Sequence, residues 1–450
     1  MKKIGVIEKL KTDTEYRAMF MIIVLGTGFS LIFLLNTVTS HFQSNTMLYQ
    51  DKEVFPVFSP AGNDFRVGYY WPAYYLVESH FTSIGPNGTY PSNYPPLVAI
   101  SSLPYALFNM TTAYTIHVVI LILLNLACLL MAVLLVKLFL LEKFPQNHFL
   151  VNVISILLFF LAAIYIFSSY FFLYSIERGN TDIIAMFYCL LALWVLIKKP
   201  KNVWLQVILL SVAVHFKIYP IVLFPLLFMK HGKKLILPAL AINIAFLFCL
   251  GPNIAWKFVQ SMTSGGTGVG IGNTWSNIGN HASYSFIMVV DNALNANLLE
   301  SFFVYWAITL LVPLLIWGIA AIAIALQKYS TLNAVLFFMV SIPLMSLLPT
   351  VSMDYKLVIF GAEIILLLGI ISKLYLQRYS LFDLIQVILI IFILLMIHRS
   401  YTLNPEVSVF IRNKYIWVLL LEIFLCVNIL RSQKKCYQLD DEIIQSSTSG

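Results

Sequence analysis

A few charged groups in this sequence stand where charge is costly or beside unusual neighbours, and chemistry is sought there first. Asp64 lies in Ser59-Pro60-Ala61-Gly62-Asn63-Asp64-Phe65-Arg66, ahead of the aromatic run Tyr69-Tyr70-Trp71-Pro72-Ala73-Tyr74-Tyr75. Amphipathic aromatic stretches favour membrane–water interfaces. The run therefore predicts a surface-lying helix that holds Asp64 at headgroup level, within reach of a lipid phosphate. By residue type alone, Asp51, Glu53 and Glu78 are equal candidates, and a solvated loop acid is the plainer alternative. Lys217, in His215-Phe216-Lys217-Ile218-Tyr219-Pro220, falls inside an apolar run, where an ammonium at a helix centre costs about 2.5–3.5 kcal/mol on insertion scales. Either an anionic phosphate offsets that cost by binding the ammonium as a point charge, or Lys217 marks a hairpin apex and snorkels to water. Glu177-Arg178-Gly179-Asn180-Thr181-Asp182 gathers one cation and two acids at a helix start. Asp182 there can be simply an acid favoured by the helix dipole, with Arg178 paired to Glu177 or Asp182.

A polar stretch further on, Gly272-Asn273-Thr274-Trp275-Ser276-Asn277-Ile278-Gly279-Asn280-His281-Ala282-Ser283-Tyr284, offers Trp275 for stacking and Asn280 and His281 for hydrogen bonds, as a sugar site would, or is a flexible loop. Gly265-Gly266-Thr267-Gly268 has no Walker lysine and no preceding strand, so it does not read as a phosphate cradle. His-rich metal spacing, a nucleophile elbow and a kinase-like set are missing. Asp354, Lys356, Arg399 and Arg412 read as interface anchors. Four cysteines, Cys128, Cys189, Cys249 and Cys426, sit in apolar runs and Cys436 near the C-terminus, which argues against a disulfide framework.

The elements that must position these groups follow from composition. The 450 residues are 60% hydrophobic and 11% charged, against about 45–50% and 25% in soluble domains. A bilayer is therefore the solvent, and apolar runs of about 20 residues, enough for a 30 Å core, recur along the chain. The net charge of +8 lies in short clusters between those runs, so it reads as topology signals and not as a nucleic-acid surface. Lys2, Lys3, Lys9, Lys11 and Arg17 precede a first span at 18–38 with no small-residue cleavage site after it, which predicts a retained helix.

The expectation is an all-α polytopic protein with about twelve transmembrane helices and both termini cytoplasmic, in the plasma or bacterial inner membrane. Residues 1–430 form one domain, with non-cytoplasmic loops at 39–93 and 252–298 that carry short interfacial helices. Spans fall at 18–38, 113–136, 149–171, 181–197, a bent hairpin at 203–229, 235–251, 300–326, 332–349, 356–372, 381–398 and 414–430. Residues 431–450 read as a short disordered cytoplasmic tail.

These features together resemble the GT-C class of membrane glycosyltransferases, most closely family 87, the polyprenyl-phosphate-mannose-dependent type. The resemblance rests on Asp64 followed by aromatics, Tyr94-Pro95-Pro96-Leu97 with Pro104, Gly179-Asn180 opening a helix, Lys217 with Pro220, and Gly279-Asn280-His281-Ala282-Ser283, over roughly residues 15–300. It implies transfer of a hexose, mannose in that type, from a polyprenyl-phosphate donor to a lipid or glycan hydroxyl on the non-cytoplasmic face, with inversion. Asp64 would be the general base, while Lys217 with Arg178 or Arg66 would stabilise the leaving phosphate. Tyr94, Asn180, Trp275, Asn280 and His281 would hold sugar or acceptor, and no metal or other cofactor is required. A polysaccharide polymerase or ligase would lean instead on Arg399, Arg412 and His281, and a flippase for lipid-linked sugars would show inverted repeats.

Overall fold

The computed structural model describes residues 62–85, 94–143, 146–263, 286, 302–327, 329–349, 354–377, 381–398 and 413–448. The expected first span, most of both long loops, and Trp275, Asn280, His281, Arg399 and Arg412 lie outside the described residues. Among those described, every regular element is helical. The α-helices used below are α1 (Trp71–Glu78), α2 (Pro96–Ser101), α3 (Met110–Lys143), α4 (His148–Phe167), α5 (Tyr170–Arg178), α6 (Asp182–Lys198), α7 (Val203–Phe216), α8 (Phe224–His231), α9 (Ile236–Leu247), α10 (Pro252–Thr263), α11 (Phe302–Ala325), α12 (Thr331–Leu347), α13 (Phe360–Gln377), α14 (Leu381–His398) and α15 (Tyr415–Thr448).

Two of these, α3 and α4, are long and apolar enough to cross a bilayer alone, and two bent pairs make four if each counts as one span. The twelve expected crossings are not reached on that measure. Helices such as α7, with 14 residues, and α12, with 17, are apolar but shorter than the roughly 20 residues a straight span needs. The surface is nonetheless lipid-like. Phe149, Leu237 and Ile322 are 83%, 74% and 63% exposed, on helices that water would not tolerate in such number. Helix α12 is central, with every residue from Asn333 to Leu347 buried.

Helix breaks bring the polar groups to one place. Helix α5 is capped by Ser169, whose hydroxyl accepts from the Phe172 amide at 3.2 Å, and ends at Gly179. There the Gly179 amide bonds the Ile176 carbonyl and the Asn180 amide bonds the Ser175 carbonyl, the paired pattern of a glycine-terminated helix. The chain then turns by 109° into α6. The hairpin expected over 203–229 forms: α7 stops at Phe216, Lys217 is extended at φ −151° and ψ 131°, and a 3-10 turn, Tyr219–Leu223, leads into α8.

Three boundaries differ from the sequence reading, at 168, 356 and 431. The span expected at 149–171 ends at Phe167, because Ser168 and Ser169 turn the chain. The second long loop, expected to carry short helices, opens as one of them, α10, bent 95° from the helix before it at Gly251, which has a positive φ of 87°. The span expected from 356 begins at Phe360, since a 3-10 turn, Asp354–Ile359, comes first and carries Lys356 ahead of the helix. The segment expected as a disordered tail continues α15 to Thr448. Its Lys, Gln, Leu and Glu residues are good helix formers and no Gly or Pro interrupts them.

Candidate functional site

Asp64 sits in a helical turn, Asn63–Phe65, that runs through a π turn, Arg66–Tyr70, into α1. The extra residue of a π turn re-aims the side chains that follow it. Phe65 and Tyr69 become fully buried and Tyr70 nearly so, while Trp71 and Val77 face outward. The aromatic run is thus only partly a surface anchor: its first half is packed into protein. The Phe65 ring lies 4.7 Å from the His117 ring and meets Tyr105 edge-on at 5.2 Å. Gly68 lets Tyr94 in, since a Cβ there would fall 2.5 Å from the Tyr94 ring.

Packing sets Asp64 against the end of α5. Oδ1 accepts from Arg178 Nε at 3.1 Å and Nη2 at 2.6 Å, and Oδ2 accepts from the Asn180 side-chain amide at 2.9 Å. A carboxylate has about four acceptor sites. The three bonds fill Oδ1 and leave one lone pair on Oδ2. Asn180, fully buried, uses its own Oδ1 to accept from the Asp182 amide at 3.0 Å, so its orientation is determined from both ends.

Gly179 makes this possible. Its φ of +64° is left-handed, and a Cβ would lie 2.6 Å from the Phe65 Cβ. Its carbonyl lies 3.1 Å from His117 Nε2. A carbonyl can only accept, so Nε2 carries the proton and Nδ1 accepts from the Tyr105 hydroxyl at 2.9 Å. Replacing Gly179 with Ala is expected to cost about 1–2 kcal/mol for the backbone and a further 1–3 kcal/mol for overpacking. Thermal unfolding in detergent checks this, and a variant as stable as wild type would contradict it.

The second carboxylate is Asp182, wholly buried. Oδ1 accepts from the Tyr219 hydroxyl at 2.5 Å and lies 3.8 Å from Lys217 Nζ. Lys217 donates to the Tyr94 hydroxyl at 3.1 Å, and its ammonium stands 4.6 Å over that ring. Its side chain is 13% exposed. The cost of a Lys in an apolar run is therefore met in part by Asp182 and Tyr94, and neither sequence alternative named these partners. Burial, reinforced by the negative charges of Asp64 and Asp182, holds the Tyr94 hydroxyl well above its usual pKa, so Tyr94 stays a neutral phenol.

Tyr94, Arg178, Asn180, Lys217 and Asp64 thus converge. Arg66 opens the π turn two residues after Asp64 and is half-buried. Asp182, read as a dipole-favoured acid, and Tyr219 and His117, not singled out, prove to hold the cluster. Their visible signals were a buried-type acid at a helix start and polar residues within apolar runs.

A family model described as Glycosyltransferase family 87 matches residues 93–349, more than half of the chain. The chain belongs to glycosyltransferase family 87. No curated protein matches it. The match takes in Tyr94, Arg178, Asn180, Asp182 and Lys217, while Asp64 and Lys356 flank it. As a family 87 member the protein is a membrane glycosyltransferase.

Proposed function

We propose that this family 87 glycosyltransferase moves a hexose, mannose in the first instance, from a polyprenyl-phosphate donor to a hydroxyl of a lipid or glycan acceptor, on the non-cytoplasmic face and with inversion. The observation that carries the reading is Asp64: a carboxylate oriented by Arg178 and Asn180, with one lone pair left on Oδ2 and two further cationic side chains nearby. The acceptor oxygen attacks the anomeric carbon from the face opposite the phosphate, and its proton passes to Asp64 Oδ2. The bond from the anomeric carbon to the phosphate oxygen breaks, and the electron pair leaves with polyprenyl phosphate. Lys217 offers that phosphate an ammonium in partial exchange for Asp182, and the neutral Tyr94 hydroxyl a hydrogen-bond partner for sugar or phosphate. Arg178 serves Asp64 first.

Topology supports the face. Helix α6 runs from Asp182 to Lys198, 17 residues in all, a rise of about 25 Å. Lys199 and Lys201 follow, and α8 returns to Lys230, Lys233 and Lys234. Basic clusters favour the cytoplasm, which leaves the Asp64 end outside.

The test is transfer by purified protein in lipid nanodiscs from radiolabelled polyprenyl-phosphate mannose and, in parallel, from nucleotide-linked mannose, with membrane lipid extract as acceptor. Label should move only from the lipid-linked donor. Transfer from the nucleotide sugar instead would overturn the donor assignment.

A further inference from the structure

Lys356 stands outside the matched family region and outside the part of the chain that carries the sequence resemblance. An interface anchor would place its ammonium in headgroup water, yet Lys356 is only 7% exposed. The turn that carries it, Asp354–Ile359, packs against α5 and α6, the helices that bring Arg178 and Asp182, and against α12 and α13. Its ammonium lies within electrostatic reach of Asp182, Lys217 and Asp64. Arg178, Lys217 and Lys356 thus gather at the end of the fold that holds Asp64 and Asp182, with Glu177 next to Arg178. Cations held in place by three separate elements suit a bound anion.

We propose that Lys356 is a second donor-phosphate ligand beside Lys217, and that it acts most on the phosphate as it leaves; the inference rests on the polyprenyl-phosphate reading above. A phosphodiester donor carries one negative charge, whereas the released monophosphate carries about −1.5 to −2 at pH 7. Charge therefore builds on the phosphate as its bond to the anomeric carbon breaks. An ammonium held in place beforehand stabilises that charge more than it stabilises the ground state, which is what raises the rate.

Burial lowers the Lys356 pKa to about 8, a shift that Lys217 reinforces and that Asp182 and Asp64 oppose. The other charged groups on the elements packed against the turn are Glu177 and Arg178 on α5, Lys198 at the far end of α6, and Glu363 and Lys373 on α13, while α12 has none. The sign is direct. The cation is present below about pH 8 and is lost as pH rises through that value.

The experiment measures binding of polyprenyl monophosphate and of the uncharged polyprenol to the full-length protein in nanodiscs, together with the pH dependence of transfer. Wild type should prefer the monophosphate. K356M should lower monophosphate affinity by at least about tenfold, the loss expected for one charge-assisted bond, and leave polyprenol binding unchanged. K356R keeps the charge, so it should retain binding and move the alkaline fall in kcat/KM from about pH 8 to above about pH 9, because guanidinium does not deprotonate there. A K356M protein that binds monophosphate like wild type, or an alkaline limb that K356R leaves in place, overturns the inference. A wild type that does not distinguish monophosphate from polyprenol overturns the donor reading itself.

Discussion

Asp64→Asn should lower sugar transfer by about 10²–10⁴, the usual contribution of a general base, with donor binding largely intact. The amide keeps the shape of the carboxylate but has no basicity for the acceptor proton. The change also has a structural cost that can be separated. The Asn180 amide now donates to Asp64 Oδ2, and Asn180 cannot simply flip because its own Oδ1 holds the Asp182 amide. An Asn at 64 must therefore point its NH₂ at either Asn180 or Arg178, both donors. About 1–3 kcal/mol of stability should go with that unsatisfied group. Rates are accordingly compared at a temperature where both proteins are folded, with Glu78→Gln as the control, since Glu78 is an exposed acid at the end of α1. More than about a tenth of wild-type turnover in Asp64→Asn would be too much for a protein lacking its general base.

The residues that make this site were visible one at a time in the sequence, but their pairings were not. Asp64 and Arg178 are 114 positions apart, and Asp182 and Tyr219 are 37 apart. No local pattern links them; the 109° turn after α5 and the hairpin at Lys217 do. Gly179 was legible as part of a short motif, whereas its reason, a left-handed turn pressed against Phe65, needs the fold. The aromatic run was assigned wholly to the interface because sequence spacing assumes a regular helix, and the π turn changes which faces point inward. Lys356 looked like any basic residue at the start of an apolar run. Only the 3-10 turn ahead of α13 tells a buried cation from an anchor. Helical class and membrane solvent followed from composition, but helix lengths did not, since breaks at Ser168, Gly179 and Gly251 leave apolar runs continuous in sequence and bent in space.

Breaking the pairing of Lys217 with Asp182 should carry a large stability effect. Asp182 is wholly buried, and Lys217 is close to it in exposure, so removing the carboxylate strands an ammonium and takes away the acceptor of the Tyr219 hydroxyl. Breaking a buried pair costs about 3–5 kcal/mol. The 3.8 Å separation is loose and Lys217 keeps its bond to Tyr94, so Asp182→Ala is placed at the low end, about 3 kcal/mol. Removing both charges is different. In Asp182→Ala with Lys217→Met no ion is left unpaired, and the thioether fills much of the lysine stem's volume. The double variant should recover roughly 1–2 kcal/mol relative to the sum of the single changes, within the range for residues in contact. Unfolding midpoints of the four proteins, monitored by tryptophan fluorescence in one detergent, give the coupling directly. If Lys217 instead reached water, Asp182→Ala would cost little through the pair and the two changes would simply add, in which case the ammonium is not held in the site and its role at the donor phosphate fails with it.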